Sequence, residues 1–381
     1  MIQPAGSMRI LTLSFEYPPL GGGGAKVVDG LARQLAKLGH EIDISTMGFR
    51  GLPKFETANG VNVYRHASIR KRTDICHMHE MVPYLLSALP RLKRMVAERK
   101  YDIIHTHFIF PDGVLAWMLN RLTGLPYVIT AHGSDVPGYN PDRFRAHHTL
   151  LSPLWRHIVR RSECVICPSA HLQSLIEKTD NTVRSTVIPN GMSADRFSPD
   201  RDKQMRVLVV SRMFERKGVQ YLMEALRGRM LACEINIVGD GPYLDTLKRM
   251  ARDTPVNVRF WGWLDNKSEE LRELYETSRI FVFTSQQENF PVNLLEAMTA
   301  GMAIVISEDP GSREVVGDAA LIVPYNQPAQ LFDTLKQLTQ DPVRCDELGR
   351  QARRRLESHF TWGAIADSYC ALFEQVLGRR Q

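Results

Sequence analysis

Two α/β domains of Rossmann-like type, facing each other across a cleft, are what this 381-residue sequence predicts. Three observations lead there. Short apolar runs alternate with amphipathic helical stretches through the first half. The same alternation starts afresh in the second half, and a segment dense in turn formers lies between them. The length suffices for two separate cores.

In the first half, residues 9–14 read as a strand, followed by a Pro/Gly loop and a helix from about Lys26 to Leu38. Gly39 stops that helix before a second strand at 41–46. Further strand-like runs occupy 61–64, 103–105, 127–130, 165–167 and 186–189. The run 189–199, with Pro189, Asn190, Gly191, Ser193, Asp195 and Pro199, lacks periodicity and reads as the linker. Beyond it, strands are expected at 206–210, 234–238, 256–260, 280–283, 303–306 and 321–323. The domains are therefore set at 1–195 and 196–362. In such sheets ligands bind beyond the carboxyl ends of the strands.

Charged residues make up 24% and apolar residues 44%, an ordinary globular composition. The net charge of +6 is uneven: residues 1–200 hold 24 basic and 17 acidic side chains, the remainder 24 and 25. A basic first half points to an anionic partner, either phosphate ligands or a membrane surface. Nucleic acid is disfavoured, because the basic residues are not interleaved with aromatics in a recognisable module. No apolar run reaches eighteen residues, and residues 1–7 lack the basic and apolar regions of a signal peptide, so a cytoplasmic protein is expected. Of the six cysteines, Cys164 and Cys167 form a C-x-x-C inside an apolar run, and read as a buried structural pair rather than a redox or zinc site. Cys76, His77, His79 and Glu80 are too crowded for zinc ligation, and no metal is expected. The stretch 84–100 combines Leu85, Leu89, Leu92 and Met95 with Arg91, Lys93, Arg94, Arg99 and Lys100. It reads as a surface helix with a solvated basic face, or as a reversible contact with anionic lipid.

The chemistry centres on Glu288 and Glu296. Glu288 lies in a loop after the run 280–284. Pro291 suits the first position of the following helix, Leu294, Leu295 and Met298 its apolar face, and Gly301 its stop. The two carboxylates should then be about 10 Å apart. A retaining glycosidase pair is separated by roughly 5 Å, so the spacing instead suits gripping two ends of one extended ligand beside a helix N-terminus. A nucleotide-sugar, with hydroxyls at both ends and a diphosphate between, has that shape. Arg212 and Lys217, after the strand at 206–210, can direct two positive charges at a diphosphate, with Arg216 as an alternative. Lys217 and Glu288 are both expected to be exposed. Gly239 opens a strand-to-helix turn of the same permissive kind. Glycines 21–24 follow the first strand with the wrong spacing for a dinucleotide fingerprint, which excludes a nicotinamide oxidoreductase, and read as a ligand loop. His132 closes the strand at 127–130, and His105 and His107 close another.

With these residues assembled, the chain resembles the family-four retaining glycosyltransferases of the GT-B fold over nearly its whole length. The resemblance is carried by glycines 21–24, the 102–107 run, His132-Gly133, residues 187–191 with Phe197, Arg212, Lys217-Gly218, residues 237–242, Glu288 and residues 295–298. It implies a transferase needing no cofactor or metal, with a UDP- or GDP-sugar as donor (ADP is not distinguished by the sequence). Arg212 and Lys217 would neutralise the diphosphate, Glu288 hold sugar hydroxyls and Glu296 the ribose. Trp263 and Leu264 would sit near the base, and His132 near sugar and acceptor. Gly22, Gly23, Gly239, Asn289 and Phe290 complete the implied donor contacts. The terminal helix, 363–381, would return to the first domain. The basic first half points to a saccharide or lipid-linked saccharide of the cell envelope as acceptor, met at the inner face of a membrane, with a soluble acceptor as the alternative. The family commonly has glycine where this chain has Pro291, which removes one backbone donor. A nucleotide-sugar 2-epimerase and a non-catalytic nucleotide-sugar binding module are the competing readings.

Overall fold

The computed structural model describes residues 6–139 and 150–379 in full and the backbone of 141–149. It separates into two compact units: one ends at Gly191 and resumes at Trp362, and the other is Met192–Thr361. The sequence set these breaks at 195/196 and 362/363.

The first unit begins β1 (Arg9–Leu13), α1 (Gly23–Lys37), β2 (Glu41–Met47), β3 (Phe55–Ala58), β4 (Val61–His66) and α2 (Met78–Arg99). It continues β5 (Ile103–His107), α3 (Asp112–Thr123), β6 (Tyr127–Thr130), α4 (Pro141–Arg161), β7 (Cys164–Cys167), α5 (Ala170–Thr179) and β8 (Ser185–Val187). The eight strands lie in the order β3-β4-β2-β1-β5-β6-β7-β8. All pairs are parallel except β3–β4. Helices on both faces leave central strands such as β5 wholly buried, which is why they read as unbroken apolar runs. The β3–β4 hairpin was not foreseen. Its turn, Asn59-Gly60, has both residues at positive φ, the conformation that dipeptide favours between antiparallel strands.

The second unit runs β9 (Gln204–Val210), a 3₁₀ turn (Glu215–Lys217), α6 (Val219–Leu226), β10 (Glu234–Val238), α7 (Leu244–Ala251) and β11 (Val258–Gly262). Then come α8 (Glu269–Thr277), β12 (Ser278–Phe283), α9 (Val292–Thr299), β13 (Ala303–Ser307), α10 (Pro310–Val316), β14 (Leu321–Val323), α11 (Pro328–Gln340) and α12 (Pro342–His359). Its six strands are all parallel, in the order β11-β10-β9-β12-β13-β14. The strand expected at 256–260 lies two residues later, at Val258–Gly262, and a register shift at Ile237/Val238 carries its last pairing on to Gly262.

The last helix, α13 (Trp362–Gly378), belongs to the first unit. Trp362 is wedged against two glycines: a Cβ on Gly30 or Gly191 would fall 2.3 Å from its ring. Farther along, the Tyr369 hydroxyl meets Thr130 Oγ1 at 3.1 Å, and its ring lies 5.2 Å from that of His105. The helix thereby covers the middle of the first sheet.

Candidate active site

In the second unit, adjacent strands β10, β9 and β12 end side by side, and their loops are laced together by backbone. Met213 N donates to Asp240 O at 2.9 Å, and Gln286 N to Arg216 O at 2.9 Å. Three glycines make this closeness possible. A Cβ on Gly239 would lie 1.7 Å from Ser211 O, on Gly241 2.5 Å from Met213 O, and on Gly218 2.0 Å from Thr284 O. All three also have positive φ, which side-chain-bearing residues rarely adopt. The lacing gathers Arg212, Lys217, Gly239 and Glu288, which are spread over 77 positions of sequence, around one sheet edge.

Lys217 Nζ donates to Glu288 Oε1, which also accepts from Ser285 Oγ at 2.5 Å. Their side chains are only 12% and 13% exposed, so the expectation that both would be exposed is corrected: each neutralises the other in a largely dry niche. Burial, then partly offset by Glu288 and reinforced by Arg216 and Arg212, lowers the Lys217 pKa below its ordinary value. Arg212 is exposed and lies over the Phe214 ring at 5.6 Å. The backbone of Glu288 is pinned as well: its N–H donates to Asp309 Oδ1 at 3.1 Å, the same oxygen that caps the start of α10 through Gly311 N and Ser312 N. Asp309 was missed by the sequence reading. The motif Asp309-Pro310 before a helix was a readable cap signal, but its second role in holding Glu288 was not.

Pro291 stands one residue ahead of its expected place, as the cap residue of α9 rather than its first helical residue. Glu296 is inside α9, 3% exposed, and accepts from the Tyr275 hydroxyl at 3.0 Å. Asn293 Nδ2 donates to Val210 O at 2.7 Å and ties the same helix to the end of β9. Asn289 and Phe290 are buried, the latter with its ring 5.5 Å from Phe360. Beyond β11, Trp263 is 68% exposed and Leu264 packs against the core.

The predicted residues of the first unit form a separate group. Gly21 has φ +95°, and a Cβ on Gly24 would meet the Phe108 ring at 2.8 Å and His132 Nδ1 at 3.6 Å. Around Gly22, by contrast, there is open space, and Gly23 starts α1. His132 Nε2 lies 3.1 Å from His107 Nδ1, with the Phe108 ring 4.3 Å away at a tilt of 34°. Burial pushes the His132 pKa down to about 3 and that of His107 well below its usual value, so both rings are neutral near pH 7. Asp135 organises the loop: Oδ1 accepts from the backbone of His132 and Gly133, and Oδ2 from Ile109 N. His107 and Asp135 thus join His132.

Two family models match the chain: "Glycosyltransferase Family 4" over residues 21–196 and "Glycosyl transferases group 1" over residues 192–355. The chain belongs to the family-four glycosyltransferases. The glycogen synthase of Mycobacterium tuberculosis is 28% identical to it, over 96% of this chain and 94% of that protein. Among solved structures, the sucrose-phosphate synthase from Thermosynechococcus elongatus aligns with a TM-score of 0.82, at 22% identity, over 98% of this chain and 100% of that one. Anabaena HepE in complex with UDP and glucose aligns with a TM-score of 0.76, at 16% identity, over 97% and 100%. These likenesses establish the GT-B fold of the transferase.

Elsewhere in this glycosyltransferase, Cys164 and Cys167 are buried free thiols in β7, and burial raises the pKa of each. Glu80 closes a capping box with His77 at the start of α2. Among the described residues no group of three or more His, Cys, Asp or Glu side chains is placed to hold a metal ion, and no helix is long and apolar enough to cross a membrane. In α2, Leu92 and Met95 are buried, and Leu85 and Leu89 pack against the core. The apolar residues that α2 exposes are instead Met78, Val82 and Leu86.

Proposed function

We propose that this glycosyltransferase moves a sugar from a nucleotide-diphosphate donor to an acceptor hydroxyl with retention at the anomeric carbon. The observation that carries the reading is the gathering of Arg212, Lys217 and Glu288 at the carboxyl ends of β9 and β12, beside the start of α9. Two cations there can balance the charge that develops on a leaving diphosphate, so metal is not required for that task. Glu288 binds sugar hydroxyls, and Glu296, braced by Tyr275, binds the ribose. A UDP- or GDP-sugar is the proposed donor, and the complex of Anabaena HepE with UDP and glucose supports that class.

Retention proceeds by front-face attack through an oxocarbenium-like state, the leaving diphosphate itself taking the acceptor proton. His132, neutral and held by His107, offers a hydrogen bond rather than a charge. The proposed acceptor is a lipid-linked saccharide met at the inner face of a membrane, which the exposed apolar residues of α2 and the basic first half support.

The test is thermal stabilisation by UDP-, GDP- and ADP-sugars with each free nucleotide as control, followed by proton NMR of the product's anomeric configuration. A ligand bound only by the native state raises the melting temperature by mass action. One nucleotide series should stabilise and support turnover with retained configuration. Stabilisation without transfer to any acceptor would identify a binding module, and an inverted product would refute the mechanism.

A further inference from the structure

Lys217 and Glu288 are assigned to different parts of one ligand, yet in the structure they are assigned to each other. Glu288 Oε1 already holds both Ser285 Oγ and Lys217 Nζ, and both side chains are largely buried. A carboxylate oxygen that accepts two hydrogen bonds has both lone pairs taken, and an ammonium so paired has one of its three N–H donors and part of its charge committed, so a phosphate must compete with Glu288 for it. Resting on the reading of this site as one for nucleotide-sugars, we propose that the Lys217–Glu288 pair is an exchange latch. Lys217 and Glu288 neutralise each other, and an arriving diphosphate draws Lys217 away and frees Glu288 Oε1 for the donor sugar.

The charges favour this exchange. A diphosphate carries at least two negative charges and several acceptor oxygens, against the single charge of Glu288, and Arg212 stands on the same loop to share it. The pinned backbone of Glu288, held by Asp309 Oδ1, keeps the carboxylate in place while the longer lysine side chain moves. Sugar recognition at Oε1 then follows phosphate recognition, because that oxygen gains a free lone pair only when Lys217 leaves it.

The latch makes a prediction that a simple contact residue does not. Glu288 competes with the diphosphate for Lys217, so removing its charge should strengthen the binding of a nucleotide that carries no sugar. Titration calorimetry with free UDP, GDP and ADP in turn, on wild type, Glu288→Gln, Lys217→Met and the double variant, tests it. For the nucleotide that binds wild type, Glu288→Gln should bind about five- to tenfold more tightly, the scale expected of a partly buried ion pair. The gain should vanish on the Lys217→Met background. The extra affinity of the nucleotide-sugar over its free nucleotide should shrink in Glu288→Gln. Glu288→Asp, with the charge kept and the reach shortened, should show a smaller gain in the same direction and serves if the glutamine variant does not fold. Unchanged or weaker nucleotide binding in a folded Glu288 variant overturns the latch and leaves the donor site standing, as does a gain that persists without Lys217. Wild type that binds none of the three nucleotides overturns both.

Discussion

The glycines divide into those the backbone requires and those it does not. In the loop 21–24, Gly24 faces the Phe108 ring at 2.8 Å while Gly22 faces open space. Gly24→Ala should therefore lower both stability and turnover, and Gly22→Ala should keep the fold and report on ligand contact alone. Gly239→Ala combines a positive φ with a Cβ 1.7 Å from a backbone oxygen that cannot move aside, and should cost about 2–4 kcal/mol. Chemical denaturation of the three variants checks the order, and a Gly239→Ala protein as stable as Gly22→Ala would refute it. The four glycines looked alike in the sequence because spacing reveals permissiveness but not what stands opposite. Arg212, Lys217, Glu288 and Glu296 were legible for the complementary reason: strand ends and helix starts can be read from periodicity, and they fix where a side chain emerges. Asp309 was not singled out, and His107 was placed below His132, because their roles depend on contacts 21 and 25 residues away.

At the scale of elements, α2 carries the least expected surface. Met78, Val82 and Leu86 recur at four-residue spacing, so they share one face, and Ile69 just before the helix is exposed as well. Exposed Lys93 and Arg94 follow toward the C-terminal end. The sequence reads here as a surface helix with a solvated basic face, or as a lipid contact, with Leu85, Leu89, Leu92 and Met95 as its apolar residues. Those residues pack inward, since a helix lying on a sheet spends its strongest apolar stripe there. A bilayer contact through the outer stripe should appear as sedimentation with phosphatidylglycerol vesicles. Val82→Glu/Leu86→Glu should weaken it at least tenfold, at about 1.5 kcal/mol or more per apolar side chain withdrawn from lipid. Lys93→Gln/Arg94→Gln should reduce its salt sensitivity. Vesicle binding equal in wild type and the Glu variant would remove α2 from the proposal. Other boundaries moved for local reasons. The β3–β4 hairpin was signalled by Asn59-Gly60 and overlooked, because Phe55–Ala58 is too short and mixed to read as a strand.

For the molecule as a whole, alternation of strand and helix was enough to give two parallel-sheet units. It said nothing of how their buried charges differ. Among its described residues the first unit holds five histidines whose pKa values lie below the ordinary one, in each case chiefly because burial disfavours the imidazolium: His40, His66 at about 4, His105 and His132 at about 3, and His107. The second unit contains only His359, which is exposed. A histidine kept neutral by folding contributes stability that is fully present above about pH 6.5 and is lost as pH falls toward its lowered value, since the unfolded chain takes up the proton first. Two buried acids of the first unit act in the opposite sense, whereas Glu80 and Asp180, where hydrogen bonds outweigh burial and lower the pKa, act with the histidines. Asp112, raised to about 8, and Asp135, raised as well, keep protons in the folded state that the unfolded chain releases near pH 4. Between about pH 4 and 6.5 the histidines outnumber them, and above 6.5 Asp112 continues to erode stability up to about pH 8. The first unit should therefore be most stable near pH 6.5 and weaken on acidification by about 1.4 kcal/mol per pH unit for each net proton. In the second unit Asp309, with a raised pKa, is relieved rather than burdened by acid. Hydrogen exchange followed by mass spectrometry between pH 6.5 and 5, corrected for intrinsic rates, should show β5, β6 and α13 losing protection while β9, β12 and β13 keep theirs. Simultaneous loss in both units, or earlier loss in the second, would show that the neutral histidines do not govern the acid limit.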